Sequence, residues 1–341
     1  MKAFTSGCAG TALSAEERSF FRAESPWGLI LFARNIETRS QVLRLCDEFR
    51  RAVDDEARPV LIDQEGGRVQ RMRAPLAPDY PTNDEIGRRY TQDRARTRRV
   101  VYLLSRLHAF DLQRVGVDVN CLPVLDIPAP NADPIIGTRA YSREPAAVSD
   151  LGQAACDGLL AGGVLPVIKH LPGHGRADVD SHKQLPRVNA SLRELANRDF
   201  LPFAALADMP LGMTAHVVFE AIDLLNPATQ SKIVVRNMIR GAIAFDGLLM
   251  SDDISMHALS GSFEDRTRKA LDAGCDIALH CNGVFSEMRA VASVVPEVDG
   301  ECARRSTRAL AMRHSGDNAD EAELREEFEE LTGWNVDIHA Y

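Results

Sequence analysis

Residues 164–186, VLPVIKHLPGHGRADVDSHKQLP, give the clearest indication of the fold that this chain adopts. The first half is an apolar, β-branched run that is typical of a strand buried in a protein core. The stretch turns polar at Pro172-Gly173, and its ionisable side chains include Lys169, His170, His174, Asp178, Asp180 and His182. Ligands of parallel α/β proteins bind at the carboxyl ends of strands, and ionisable groups seldom gather there for packing alone. The stretch therefore predicts a parallel α/β fold with a functional site after this strand.

Short apolar runs alternate with amphipathic stretches over almost the whole chain. We predict strands at residues 3–7, 28–33, 60–64, 117–125, 164–171, 211–219, 247–251 and 275–281. Helices are predicted after the Ser14–Glu17 capping box and at residues 38–53, 91–115, 144–162, 191–208, 232–244 and 263–273. Eight strands that alternate with helices predict the α/β class and a (β/α)8 TIM-type barrel.

A doubly wound open sheet is the alternative arrangement of the same elements. It usually brings a glycine-rich fingerprint between strand and helix, but Gly173-His174-Gly175 lacks the third glycine and precedes a charged loop. We therefore predict one barrel domain over residues 1–315. Residues 316–341 are acidic and are predicted to form a C-terminal helical appendage, with an exposed helix that ends near Gly333.

The composition narrows the possible partners and the compartment. The formal net charge of -9 argues against a nucleic-acid partner. Seven cysteines without a CxxC pair favour reduced, mostly buried thiols. The N-terminus lacks the apolar run of a signal peptide, and no window approaches the ~20 apolar residues of a membrane span. We therefore predict a cytoplasmic protein, monomeric, with no nucleic-acid or membrane partner.

Polar residues follow most of the predicted strands. Because a barrel gathers the carboxyl ends of its strands at one mouth, we expect these side chains to share a site. They are Asp63, Glu65, Arg68 and Arg71 after strand three, Asp126 and Arg139 after strand four, Lys169 and His170 at strand five, His216 at strand six, Asp252 and Asp253 at strand seven, and Asn282 after strand eight.

Two kinds of chemistry fit these residues. His170 and His174 have the i, i+4 spacing of a helical zinc pair, but the intervening proline disfavours a helix and no Glu takes the usual catalytic position. A metal bound by an irregular loop stays open as an alternative. The favoured interpretation is acid–base chemistry without metal or other cofactor, because Asp180 lies close enough to His182 to orient its ring and to favour the imidazolium.

The Asp252-Asp253 pair can supply a separate carboxylate as nucleophile. In an extended segment the two side chains point to opposite sides, so only one of them faces the mouth. The other can serve as the N-cap of the following helix, since Asp is a favoured cap residue.

Seven segments together resemble glycoside hydrolase family 3, and specifically its single-domain bacterial β-N-acetylglucosaminidase (β-hexosaminidase) branch. They are GLILFARN (28–35), DQEGGRVQR (63–71), PVLD (123–126), IIGTRAYS (135–142), KHLPGHGRADVDSHKQLP (169–186), TAHVVF (214–219) and SDDISM (251–256). The chain departs from the usual motif of this branch at Leu171 and Arg176-Ala177. These differences affect expectations about loop packing and leaving-group preference.

The resemblance implies a retaining hydrolase that acts on a carbohydrate. Asp252 would be the nucleophile, and His182 the general acid/base assisted by Asp180. The family pattern also implies sugar contacts from Asp63, Arg71, Arg139, Lys169 and His170. Most retaining glycosidases use two carboxylates, so a histidine acid/base sets this branch apart.

We therefore predict an exo-β-N-acetylglucosaminidase that removes terminal GlcNAc from recycled cell-wall muropeptides. Another β-glycosidase or a glycoside phosphorylase of the same fold is the first alternative, since a histidine acid/base does not repel phosphate. A metal-dependent hydrolase and a sugar-binding barrel with an inactive site are the others.

Overall fold

The computed structural model of the chain describes residues 1–336, so the last five residues of the predicted tail, 337–341, lie outside it. Eight parallel strands form a closed barrel: β1 Lys2–Ser6, β2 Pro26–Leu31, β3 Val60–Ile62, β4 Val119–Asn120, β5 Leu165–Leu171, β6 Leu211–Thr214, β7 Leu248–Asp253 and β8 Ile277–His280. Each strand pairs with the next along the chain, and β8 pairs with β1. The predicted TIM-type barrel is confirmed.

The strands differ most from prediction in β4 and β6. The apolar run 117–125 contributes only Val119–Asn120 to the ladder, with a further isolated bridge between Val124 and Lys169. Pro123 lies between the two pieces and has no backbone N–H to donate. The run 211–219 leaves the barrel after Thr214, and its last two residues, Val218–Phe219, pair instead with Arg187–Val188. Apolar runs therefore overstate strand length where the chain turns toward the mouth.

Alternate residues of the strands fill the barrel interior, as a period of two requires. Leu165 and Val167 of β5 belong to one cluster with the inward residues Ala3, Ile30, Leu61, Val119, Leu211, Met213, Leu248, Met250, Ile277 and Leu279. The residues between them, such as Ile168 and Leu249, pack outward against the helices. Both faces of the strands are thus buried, which explains why these segments are apolar almost throughout.

Helices surround the barrel at Ala15–Glu24, Arg39–Ala52, Asn83–Gly87, Arg94–Gln113, Pro145–Ala161, Leu192–Glu194, Leu201–Ala205, Phe263–Ala273, Phe285–Ala292, Gly300–Ala311 and Glu321–Thr332. Leu195–Asp199 and Val234–Ala242 are wound as π-helix, within the predicted helical stretches after β5 and β6. The capping box of Ser14 and Glu17 is confirmed. Phe285–Ala292 and Gly300–Ala311 were not predicted. All seven cysteines are free thiols, and six of them are buried.

The acidic tail forms a helix that is not exposed on all sides. This terminal helix, Glu321–Thr332, packs along Arg94–Gln113 and buries Arg325 and Phe328. The predicted helix is therefore confirmed, whereas its prediction as an exposed element is wrong for one face. Among residues 1–336, no helix combines the length and apolarity needed to span a membrane.

Candidate active site

A cavity of about 250 Å³ opens at the carboxyl ends of the strands. It is smaller than the ~300–1,000 Å³ of typical drug-sized sites and suits a single small ring. Seven of the eight predicted site residues line it, namely Asp63, Arg71, Arg139, Lys169, His170, His182 and Asp252. The eighth, Asp180, contacts the cavity residue His182. The structure thus brings the eight predicted site residues together.

Asp63 follows β3 and carries two cations on its two oxygens. Oδ1 accepts from Lys169 Nζ at 2.8 Å, and Oδ2 accepts from Arg71 Nη2 at 2.9 Å. Burial acts to raise the pKa of Asp63, but the two cations hold it well below its usual range. Asp63 is therefore a fixed carboxylate, and both of its cationic neighbours line the cavity.

Glu65 lies beside Asp63 and is almost fully buried. Arg139 grips it with two bonds, from Nε to Oε2 at 2.9 Å and from Nη2 to Oε1 at 2.8 Å. Lys169 Nζ is also 2.7 Å from Glu65 Oε1, so the lysine bridges the two carboxylates. Burial favours neutral Glu65, but Arg139 and Lys169 outweigh it and lower its pKa. We call Asp63, Glu65, Arg71, Arg139 and Lys169 the ion cluster.

A short hairpin carries part of the ion cluster. Gln64–Gly66 pairs with Val69–Gln70 in antiparallel fashion. Its turn needs glycine: Gly66 has φ of 107°, and a Cβ there would lie 2.4 Å from the Pro81 carbonyl oxygen. The GG of the sequence motif therefore sets the turn between Glu65 and Arg71.

Asp126, at the end of the β4 segment, organises the start of the long loop after β5. Its Oδ2 lies 2.6 Å from His170 Nδ1, and its Oδ1 accepts the backbone N–H of His174 at 2.6 Å. His174 in turn places Nε2 3.0 Å from Ser181 Oγ, one residue before His182. Burial lowers the pKa of His174 to about 4, so its ring is neutral at pH 7. Asp126 thereby anchors both ends of the loop segment.

His182 lies on that loop at the rim of the cavity, with 60% of its side chain exposed. Asp180 Oδ1 accepts from the backbone N–H of His182 and lies 2.9 Å from its Nδ1. The carboxylate thus fixes the ring so that Nε2 is available on its far side. The predicted Asp180-His182 pair is formed in the structure.

Asp252 and Asp253 both belong to β7 and both line the cavity, so the prediction that only one of them faces the mouth is wrong. Their hydrogen bonds differ. Asp253 accepts from Ser255 N, Ser255 Oγ and Cys281 N, and so closes the turn after β7 and ties it to β8. Asp252 accepts only the Asp253 N–H, at 2.8 Å, among the hydrogen bonds between described residues. The helix that follows is capped by Ser262, not by either aspartate. Asp252 is thus the carboxylate with free acceptor capacity in the cavity.

The charge state of Asp252 follows from its neighbours. Burial acts to raise its pKa, but the imidazoles of His216 and His170 and the Asp253 N–H outweigh it and lower the pKa. His216 is held between Thr229 Oγ1 at Nδ1, 2.7 Å, and the Asp253 carbonyl oxygen at Nε2, 3.0 Å. Asp252 is therefore ionised at neutral pH.

Sequence analysis assigned no role to three residues that hold this site together. Glu65, Asp126 and His216 were noted as polar residues at strand ends, but their partners lie up to 74 positions away in sequence. A signal for Glu65 and Asp126 is that Arg139, Lys169 and His170 need partners if they are buried at the mouth. No such signal identifies His216.

The two histidines considered for zinc are engaged with protein groups, His170 with Asp126 and His174 with Ser181. Their rings lie 5.5 Å apart between centroids. Within residues 1–336, no group of three or more His, Cys, Asp or Glu side chains is arranged to hold a metal ion. Each of the two histidine rings therefore uses a nitrogen for a hydrogen bond within the protein.

Comparisons with known proteins identify the family of the chain. Residues 8–310 match the model of the glycosyl hydrolase family 3 N-terminal domain. A β-hexosaminidase of Idiomarina loihiensis is 34% identical over 331 residues, 96% of this chain and 97% of the relative. A β-hexosaminidase of Alkalilimnicola ehrlichii is 38% identical over 81% of this chain and 79% of the relative.

The fold has a similar counterpart among solved structures. NagZ from Neisseria gonorrhoeae, in complex with N-trifluoroacetyl-D-glucosamine, superposes with a TM-score of 0.86 and 29% identity over 97% of each chain. The closed barrel, the family match over residues 8–310 and the relatives of similar length all point to the same family. The chain is a glycoside hydrolase and belongs to glycosyl hydrolase family 3.

Proposed function

We propose that this protein is a retaining exo-β-N-acetylglucosaminidase. Its relatives are β-hexosaminidases, and the similar NagZ structure holds an N-acylated glucosamine. The observation that carries the proposal is that Asp252 and His182 face one small cavity from two different strand–loop units. A nucleophile and a proton donor on separate elements are what a double displacement at one carbon requires.

In the first step, an Asp252 oxygen attacks the anomeric carbon and the bond from that carbon to the leaving oxygen breaks. The leaving oxygen takes the proton of His182 Nε2. The lowered pKa of Asp252 keeps it ionised for attack. Asp180 stabilises the ring orientation through its bond with Nδ1. The products are a covalent glycosyl ester on Asp252 and a neutral imidazole.

In the second step, His182 takes a proton from water as the water oxygen attacks the anomeric carbon. The ester bond to Asp252 breaks, the carboxylate is restored and His182 is protonated again. Two inversions give net retention of configuration. His182 thus acts first as acid and then as base, and its exposure at the rim gives water access.

Asp63, Arg71, Arg139, Lys169 and His170 serve as sugar contacts in this proposal. Arg71, Arg139 and Lys169 are held by buried carboxylates yet line the cavity, so they can donate to hydroxyl or acetamido oxygens without rearrangement. Asp63 can accept from a hydroxyl while it retains its cations. A cavity of about 250 Å³ accommodates a terminal residue and favours exo cleavage.

We further propose that the natural substrate is a GlcNAc-containing muropeptide and that the protein acts in the cytoplasm as a monomer during peptidoglycan recycling. The support is its similarity to NagZ. In this proposal residues 1–315 form the catalytic barrel and residues 316–341 the appendage.

The decisive experiment is a screen of aryl β-glycosides of GlcNAc, GalNAc, glucose and xylose with purified protein. We expect GlcNAc to be preferred. A fluorinated GlcNAc donor with a good leaving group should label Asp252, as detected by peptide mass spectrometry. Preference for glucose, or a label on Asp253, would contradict the proposal.

A glycoside phosphorylase is the second candidate, and the exposed imidazole of His182 favours it. A carboxylate acid/base would repel phosphate, whereas this rim carries a neutral or cationic ring beside Arg68. Phosphate would then replace water in the second step and release GlcNAc 1-phosphate. Product analysis with and without phosphate separates the two activities.

A further inference from the structure

Arg325 is the one basic residue of the terminal helix, whose other charged residues are all glutamates. It is also the charged side chain of this helix that is buried. Its guanidinium donates to Asp111 Oδ1 at 2.8 Å and to Glu321 Oε1 at 2.8 Å. It also donates to the backbone oxygen of Val336 at 2.8 Å. A buried arginine with this many charge-assisted bonds has its side-chain position fixed.

Arg325 and Asp111 meet at the hydroxyl of Tyr80. The hydroxyl donates to Asp111 Oδ2 at 2.5 Å and accepts from Arg325 Nη1 at 3.3 Å. Tyr80, Asp111 and Arg325 come from three separate segments, and all three are buried. The bonds close a triangle that joins the terminal helix to the segment around Tyr80.

The backbone of Tyr80 holds the hairpin of the ion cluster. Its N–H donates to Gln70 Oε1 at 3.1 Å, and its carbonyl oxygen accepts from Gly67 N at 2.9 Å. The Tyr80 ring also packs edge-to-face on His108, with ring centroids 4.5 Å apart. Both the turn, at Gly67, and the second strand of the hairpin, at Gln70, are therefore bonded to the Tyr80 backbone.

We propose that Arg325 is a positioning residue for the sugar-binding hairpin, acting through Tyr80. By fixing Tyr80 it fixes the hairpin that places Arg71 at the cavity and Glu65 against Arg139. This inference rests on the proposed role of the ion cluster in binding GlcNAc. Because small displacements of binding groups weaken catalysis sharply, loss of the anchor should reach the active site although Arg325 does not line it.

The same pair of helices offers a matched control. Arg99 and Glu327 form a two-bond ion pair, at 2.7 and 2.6 Å, between the Arg94–Gln113 helix and the terminal helix. Both side chains are partly exposed, and neither contacts Tyr80 among the hydrogen bonds of the described residues. Glu327→Gln therefore removes a bond between the helices without touching the proposed path.

The experiment compares Arg325→Met, Tyr80→Phe and Glu327→Gln in the full chain, well below the unfolding temperature of each. With an aryl GlcNAc substrate and with GlcNAc as inhibitor, we expect KM and the inhibition constant to rise by about tenfold or more in Arg325→Met. Tyr80→Phe, which keeps the ring on His108, should raise both severalfold, and Glu327→Gln should leave them unchanged.

Hydrogen exchange of a peptide covering residues 64–71 supplies a readout that needs no substrate. Faster exchange in Arg325→Met and Tyr80→Phe but not in Glu327→Gln supports the inference. Unchanged exchange and unchanged KM in a folded Arg325→Met overturn it, and if that variant does not fold, Tyr80→Phe decides by the same criteria. A wild type that does not act on GlcNAc would contradict the proposed function, while the exchange comparison would still test Arg325.

Discussion

The two sides of the cavity are built in opposite ways. On one side, the ion cluster is held by buried carboxylates: the Lys169 side chain is 2% exposed and Glu65 1%. On the other side, His182 is 60% exposed and lies on a loop, with Asp180 as its side-chain partner. The first arrangement fixes donors in space, whereas the second leaves a ring at the edge of solvent.

The difference corresponds to two chemical tasks. Recognition of a sugar needs donors whose positions do not change on binding, and buried ion pairs provide them. Proton transfer in two steps needs a group that reaches first a leaving oxygen and then a water. Asp252 lies between the two sides and serves both, so substitutions on each side should affect different kinetic constants.

Asp252→Asn is expected to have the largest effect, because it removes the nucleophile that both sides serve. We expect kcat to fall by at least about 10⁴-fold, the scale on which a single essential catalytic group acts. The unfolding temperature should change little, since Asp252 accepts one hydrogen bond. Steady-state assays with an aryl GlcNAc substrate and thermal unfolding measure both quantities.

Asp253→Asn is the matched control for Asp252→Asn. It disturbs three accepted bonds at the end of β7, so it should cost roughly 1–3 kcal/mol of unfolding free energy and much less activity. A larger loss of kcat in Asp253→Asn than in Asp252→Asn would reverse the assignment.

His182→Ala tests the exposed side. Loss of the proton donor should lower kcat by about 10²–10⁴-fold on alkyl glycosides with poor leaving groups. Activated aryl glycosides need less protonation, so formation of the glycosyl-enzyme from them should be slowed less. Because the ring is largely exposed, the unfolding free energy should stay within about 0.5 kcal/mol of wild type. Equal losses of kcat/KM, which reports formation of the glycosyl-enzyme, on both substrate types would assign His182 a structural role.

Arg139→Ala tests the buried side and should give a smaller kinetic effect. Loss of a charged hydrogen bond of about 1.5–3 kcal/mol corresponds to GlcNAc affinity about 10–100-fold weaker. Glu65 keeps Lys169 at 2.7 Å, so the cost in stability should be less than the ~3–5 kcal/mol of a fully orphaned buried charge. Titration with GlcNAc and chemical unfolding would measure the two quantities. Unchanged GlcNAc affinity would remove Arg139 from the binding surface.

The sequence was sufficient to predict the barrel because its signals are local. The apolar run of Leu165–Leu171 and the amphipathic period of Phe263–Ala273 each lie within a single element, and both are confirmed. The residues at the strand ends were predicted to share a mouth because barrel topology alone places them there. Their roles relied on resemblance to a family, since no local pattern distinguishes a sugar contact from an ion pair.

What the sequence could not give are pairings across the fold. Arg139 meets Glu65 over 74 positions, and Arg325 meets Asp111 over 214. In the sequence, Arg325 is one cation among acidic residues and is typical of a solvated helix face. It becomes a buried hydrogen-bond partner of Asp111 and Tyr80 because the terminal helix packs on Arg94–Gln113.

The smallest effect that we expect is on the pH dependence of stability. It concerns His108, whose ring packs against Tyr80. Burial lowers the pKa of His108 to about 3, against about 6.5 for an unfolded histidine. The unfolded chain therefore binds a proton that the folded chain does not, and stability falls as pH drops from about 6.5 toward 3. The contribution is about 1.4 kcal/mol per pH unit.

His108→Phe keeps an aromatic ring against Tyr80 and removes the titrating nitrogen atoms. Its unfolding free energy should therefore fall less steeply than that of wild type between pH 6 and pH 4.5, by about 1.4 kcal/mol per unit. Urea unfolding at several pH values, with slopes compared at equal m-values, measures the difference. Parallel curves for the two proteins would mean that His108 is protonated in the folded state. The ring would then be a cation packed against Tyr80, close to the hairpin of the ion cluster, where a neutral ring is expected.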